Sequence, residues 1–162
     1  MDPIEFNSLE CRWFSKQALP KVIENIFHGV QTLTRTDAYW TKELFEHPFD
    51  RTKGIKLREG GFEIKSLLET TNDSTVPGHI QKWCKVRREI PDAIDMSSHW
   101  LEVTKKRQLL RFDLDNPKTP AAVSTLLDEG CNAELTRFGP PFDHYWTFGL
   151  EAYGQDQKLD SP

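Results

Sequence analysis

A chain of 162 residues with 28% charged and 37% hydrophobic side chains is the size of one domain with a substantial core. Its net charge of −4 excludes a broad nucleic-acid surface, which requires basic excess. No apolar run approaches the ~20 residues that span a bilayer, and no apolar stretch marks an N-terminal signal, so a cytoplasmic protein acting on neither membrane nor duplex is expected.

Residues 8–14 alternate at period two, with Leu9, Cys11 and Trp13 on one face and Ser8, Glu10 and Arg12 on the other. A helix is predicted over 20–28. Pro20 opens it, Val22, Ile23, Ile26 and Phe27 form its apolar stripe, and Gly29 ends it. Residues 31–40 read as a Thr-rich strand ending in Tyr39 and Trp40. Residues 54–68 read as a hairpin turning at Gly60-Gly61, which sets Arg58 opposite Glu63 and Lys56 opposite Lys65. Two opposed lysines repel, and an anion between them would relieve that repulsion.

Strand 80–89 places Lys85 and Arg87 on one face and Cys84 and Val86 on the other. Strand 100–114 carries Lys105, Arg107 and Arg111 in phase. A second helix is predicted over 119–129. Thr119 caps it, Gly130 stops it, and Ala122, Val123, Leu126 and Leu127 form its buried side. Residues 131–137 set Glu134 and Thr136 against Ala133 and Leu135. In 145–153, Trp146, Phe148, Leu150 and Ala152 alternate with Thr147, Gly149 and Glu151. Loops are expected at 69–79, 90–99 and 138–144, and a polar tail at 154–162.

This pattern predicts a single α+β domain over 1–162, mainly antiparallel β. An eight-stranded barrel would turn its charged faces inward around a polar-lined tunnel, with two or more helices covering its apolar outside. The same alternation suits an open sheet with one solvated face. The same-strand pairs Lys56/Arg58, Lys85/Arg87 and Lys105/Arg107 favour the barrel, because solvated faces mix signs more evenly.

Six or more Lys and Arg side chains meeting in one cavity call for an anion of several charges. Phosphate chains suit them, since Arg offers forked donors and Lys a compact charge. Glu10, Glu63, Glu134 and Glu151 fall on the same faces. They either pair with the bases or hold Mg²⁺ or Mn²⁺, which takes one or two carboxylates plus phosphate oxygens and water. A metal bridging phosphates, with a carboxylate orienting water, would hydrolyse a phosphoanhydride. The three cysteines (Cys11, Cys84, Cys131) lack zinc spacing and read as packing thiols. The five histidines also lack metal-ligand spacing, and the five tryptophans read as packing groups.

The order of these segments resembles the CYTH superfamily, the triphosphate tunnel metalloenzymes. The resemblance runs from about residue 8 to 153. It is carried by Glu10-Cys11-Arg12, Arg35-Thr36-Asp37-Ala38-Tyr39, Gly54-Ile55-Lys56-Leu57-Arg58, Glu63-Ile64-Lys65 and Lys105-Lys106-Arg107. It implies a metal-dependent phosphohydrolase acting on a triphosphate or organic polyphosphate. By resemblance, Arg12, Lys56, Arg58, Lys65, Lys85, Arg87, Lys105 and Arg107 hold the phosphates. Glu10 and Glu151 hold Mg²⁺ or Mn²⁺, with Glu134 a further candidate ligand. The family opens on Glu-x-Glu-x-Lys, whereas Ser8 stands at the first acid here, and Gly149 stands where a second closing acid is common. Two missing carboxylates bear more on the metal than on the anion. The alternative is therefore a non-catalytic binding domain for polyphosphate or another phosphorylated anion. An interaction protein with an open sheet is a third reading, and the outward Trp and Leu faces leave room for a homodimer.

Overall fold

The computed structural model describes residues 4–41, 52–75, 77–89, 100–122 and 124–154. Eight strands follow in the chain: β1 (Ile4–Ser15), β2 (Thr32–Trp40), β3 (Lys53–Arg58), β4 (Gly61–Thr71), β5 (Ile80–Glu89), β6 (Trp100–Asp113), β7 (Gly130–Phe138) and β8 (Trp146–Tyr153). All neighbours pair antiparallel, in the closed order β1-β5-β4-β3-β2-β6-β7-β8. β1 pairs with both β5 and β8, so the sheet has no free edge. Closure overturns the open-sheet alternative.

Alternation along a strand sends successive side chains to opposite faces. On β7 the two faces are both buried: Glu134 and Thr136 on one, Ala133 and Leu135 on the other. The apolar core gathers on the second face. Ala133 and Leu135 meet Phe27, and Ile23, Leu110, Phe112, Trp146 and Phe148 pack around them. Phe112, Leu110 and Phe148 are out of phase with Arg107, Glu134 and Thr147, so this core lies outside the barrel wall. The one helix among the described residues, α1 (Lys21–Ile26), leads into Phe27. Gln108 fastens that segment to β6, donating from Nε2 to the carbonyls of Phe27 at 3.1 Å and Val30 at 2.9 Å. Trp13 stacks on Phe148 at 5.6 Å between ring centres. Trp40, Phe62 and Trp100 form a second outward aromatic group.

Several expectations are corrected. The helix predicted over 119–129 does not form among the described residues of that range. Ala121 instead bridges to Arg111, its N–H 2.7 Å from the Arg111 carbonyl, and the Arg111 guanidinium donates to the Thr125 carbonyl at 2.9 Å. Leu126, assigned to a buried stripe, is 95% exposed. A helix this short needs a packed face, and Leu126 finds none. The covering helices therefore reduce to α1 among the described residues. α1 is itself shorter than predicted, and its Val22 and Ile26 face solvent while Ile23 and Phe27 pack.

The hairpin register also differs. The turn is Glu59-Gly60, at φ 48° and 74°, so Arg58 faces Gly61 and Lys56 faces Glu63. Both central residues take positive φ, as the type I′ turn requires to match strand twist. The Lys56–Lys65 opposition does not exist, and Lys65 faces Gly54. β4 also runs on to Thr71, shortening the loop expected from residue 69. The 90–99 loop, Val123 and the tail beyond Gly154 lie outside the described residues. No helix among the described residues is long and apolar enough to cross a membrane. Cys11 and Cys84 are buried, Cys131 is half-buried, and all three are free.

Candidate functional site

Side chains from all eight strands line one cavity of about 440 Å³. Seven of the eight cations singled out by sequence are among them: Arg12 on β1, Lys56 and Arg58 on β3, Lys65 on β4, Lys85 on β5, and Lys105 and Arg107 on β6. Arg87 is the exception. It is in phase with Lys85, but its side chain is 44% exposed and reaches Glu59 in the β3–β4 turn at 3.7 Å.

Carboxylates interleave with these cations. Glu10 and Glu151 are register partners across β1 and β8. Lys85 bridges them, its Nζ 3.1 Å from Glu10 Oε1 and in contact with Glu151 Oε1. Lys65 Nζ lies 2.5 Å from Glu10 Oε2 and 4.3 Å from the centre of the Trp83 ring. Burial by itself would raise the Glu10 carboxyl, but Lys65 and Lys85 together hold it below the usual range. Burial likewise disfavours a charged Lys85, and Glu151 and Glu10 outweigh it, raising that ammonium.

Glu134 on β7 is clamped from two sides. Arg12 Nη1 lies 3.1 Å from Oε1, where the Thr136 hydroxyl also donates at 2.7 Å. The Arg107 guanidinium holds Oε2, with Nε at 2.9 Å. Burial would raise this carboxyl, but Arg107 and Arg12 bring it down to about 2. Arg12 also donates to the Thr147 hydroxyl at 3.2 Å.

A third group joins β2, β3 and β4. Asp37, 2% exposed, accepts a forked pair from Arg58 at 3.1 and 3.2 Å. Glu63 takes Lys56 at 2.6 Å and Arg58 at 3.5 Å.

Lys105 stands apart. Among the described residues no carboxylate comes within ion-pair distance of it. Its Nζ donates to the Tyr39 hydroxyl and lies 4.7 and 5.8 Å from the ring centres of Tyr39 and Phe138. Burial, reinforced by the charges of Lys56 and Arg107, lowers its ammonium to about 8. Tyr39 is pushed up to about 12 by burial and by Asp37, so its phenol stays neutral.

Seven cations thus face four lining carboxylates and the buried Asp37, an excess of two. That is smaller than the basic pairs alone suggest, because acids on neighbouring strands interleave with them. Asp37 and Tyr39 receive no role from sequence reasoning, although they stand two apart on β2 in the phase that faces the cavity. A second cavity, about 580 Å³, adjoins the first at Phe6 and Glu151 and is also lined by Glu5 and Asp128.

The carboxylates as arranged do not fit a divalent ion. Among the described residues no three His, Cys, Asp or Glu side chains cluster as metal ligands. Lys85 lies between Glu10 and Glu151, and both oxygens of Glu134 are engaged. The two positions lacking an expected acid are filled otherwise. Ser8, 1% exposed, donates its hydroxyl to Glu10 at 3.3 Å. Gly149 lies beneath the Arg12 guanidinium, whose Cζ would be 2.9 Å from a Cβ there.

Comparison with protein-family models, with curated proteins and with solved structures yields no match.

Proposed function

We propose that this barrel is a receptor for a compact polyphosphate-type anion, bound in a polar-lined tunnel of which the 440 Å³ cavity is the centre. One observation carries the reading: seven cationic side chains from five strands converge on one cavity, two in excess of the carboxylates around them. Pairing does not exhaust these groups. A lysine has three donors and an arginine five, and each carboxylate here takes only some of them. A ligand with many anionic oxygens can engage the remainder at once, whereas a single carboxylate cannot. Lys105, with no carboxylate of its own among the described residues, gains most from such a ligand. The resemblance to the triphosphate tunnel family supports the same ligand class.

Calorimetric titration and thermal melts with tripolyphosphate in EDTA test this. The expected result is a raised Tm and a Kd that weakens with added salt, as screening demands. Lys105→Met, which strands no carboxylate, should weaken binding about tenfold, or ~1.4 kcal/mol. No stabilisation, or the same stabilisation by sulfate at equal ionic strength, would overturn the reading.

The second reading is metal-dependent phosphohydrolysis of a triphosphate or organic polyphosphate. The in-register pair Glu10 and Glu151 favours it, and it requires Lys85 to leave that pair. Release of phosphate from tripolyphosphate, ATP or thiamine triphosphate with Mg²⁺ or Mn²⁺ would establish it. No release from any of the three leaves the receptor.

A further inference from the structure

We propose that the Lys85 ammonium takes the place of a divalent cation in this barrel, so that the anion is held without metal and loss of Lys85 uncovers a divalent-ion site on Glu10 and Glu151. The first clause rests on the receptor reading and the second does not.

Three observations converge. Glu10 and Glu151 are brought face to face by the β1–β8 register, the separation of strands that lets one cation serve two carboxylates. The cation that serves them is Lys85, reaching in from β5 on the far side of β1 to touch an oxygen of each. The third carboxylate that could complete a metal site, Glu134, is withdrawn into Arg12, Arg107 and Thr136. Lys65 closes the remaining oxygen of Glu10. A divalent ion at this place would meet two ammonium groups at contact range, which burial keeps poorly screened.

The chemistry of an ammonium suits the substitution. Mg²⁺ in phosphate sites links one or two carboxylates to phosphate oxygens. A lysine with three N–H donors can hold two carboxylates and direct the third donor at a ligand. Lys85 also lines the cavity beside Phe6, whose ring centre is 6.0 Å from its Nζ, so its ammonium stands at the wall of the space an anion would enter. The price is one unit of charge less than a metal supplies. Lys105, which lines the same cavity without a carboxylate of its own among the described residues, offsets it.

Mn²⁺ electron paramagnetic resonance decides the second clause without any anion. Wild-type protein is expected to leave the six-line aqueous Mn²⁺ signal unchanged. Lys85→Ala is expected to remove one Mn²⁺ per chain, and Glu151→Gln on that background to restore the signal. Lys85→Met, which keeps the stem's volume, serves if the alanine variant does not fold. Stoichiometric Mn²⁺ binding by wild-type protein, or no binding by a folded Lys85 variant, overturns it. For the first clause, tripolyphosphate titrated into wild-type protein in EDTA should bind at least as tightly as in Mg²⁺. Binding in Mg²⁺ that is lost in EDTA overturns that clause alone. Absence of binding in both buffers overturns the receptor reading and the first clause with it, and the Mn²⁺ result still stands on its own.

Discussion

Arg12 lies opposite Gly149 across β1 and β8, and its guanidinium occupies the space that a Cβ at 149 would take, Cζ only 2.9 Å away. The same guanidinium holds Glu134 at 3.1 Å and Thr147 at 3.2 Å. Glycine at 149 therefore permits a flat-lying arginine, and through it the clamp on Glu134. Gly149→Ala should displace Arg12 and cost about 1.5–3 kcal/mol, the range for hydrogen bonds to charged groups. Urea denaturation of Gly149→Ala, Arg12→Ala and the double variant measures the coupling. Strict additivity of the two losses would sink the close-approach account.

The β3–β4 turn gives a stability test of the register. Glu59 adopts φ 48°, a conformation costly for a residue with a long side chain and well tolerated by Asn. Glu59→Asn should stabilise by up to about 1 kcal/mol. It forfeits ion pairs to Arg35 at 3.5 Å and Arg87 at 3.7 Å, but Glu59 is 62% exposed and such pairs contribute little. Gly60→Ala, at φ 74°, should destabilise by about 1 kcal/mol. A Glu59→Asn variant less stable than the parent in chemical melts would instead favour a turn centred one residue later.

Much of this architecture is legible in the alternation of residues. Ser8, Glu10 and Arg12 against Leu9, Cys11 and Trp13 already distinguish the two faces of β1, and Thr147 against Trp146 and Phe148 does so for β8. What alternation cannot supply is the partner across the ladder. The hairpin reading put Gly60-Gly61 at the turn because glycine is the easiest residue to bend, and moving the turn by one residue shifts the pairing by two, which turned a Lys56–Glu63 pair into two opposed lysines. The 119–129 segment misled for a related reason. Its caps and its apolar spacing are helical, but Ala121 instead pairs with Arg111 and Leu126 finds no packed surface, standing 95% exposed. Whether a surface is still available is a tertiary fact. Likewise, alternation does not show that Ser8 bonds to Glu10 or that the Arg12 guanidinium lies where a Cβ at 149 would stand.

Acid sensitivity should trace to Glu134. Its carboxyl stands at about 2 in the fold against an ordinary 4.5, because Arg107 and Arg12 outweigh its burial. A folded-state value below the unfolded one stabilises above the unfolded value, and that contribution is lost as pH falls from about 4.5 toward 2. The shift corresponds to about 3 kcal/mol at neutral pH. Glu134→Gln should therefore lower stability at pH 7 and flatten the decline between pH 5 and 2. The flattening is partial, because Glu10 and Asp37 are also held low by their cations. An unchanged acid limb in Glu134→Gln melts would remove Glu134 from the account.

Alkaline behaviour should trace to Lys105, whose ammonium falls from an ordinary 10.5 to about 8 through burial and the charges of Lys56 and Arg107. For a base, a folded-state value below the unfolded one means that folding disfavours the charged form, and stability again rises with pH. Protonation opposes folding, so the stability of the unliganded protein should rise as pH climbs from 8 toward 10.5. The proposed anion binding would run the other way, since a polyphosphate prefers the ammonium. Affinity should decline as pH rises through 8, and binding at pH 8 should take up about half a proton per site. Calorimetry in buffers of different ionisation enthalpy reads that uptake directly. The neighbours facing Lys105 cannot supply it: Tyr39 stands at about 12, Glu134 at about 2, Asp37 below the usual carboxylate range, and Arg107 is a guanidinium. Lys56 is also lowered by burial, so the assignment needs the variant. Lys105→Met should abolish the uptake at pH 8 while Lys56→Met retains it, and the reverse pattern would transfer the role to Lys56.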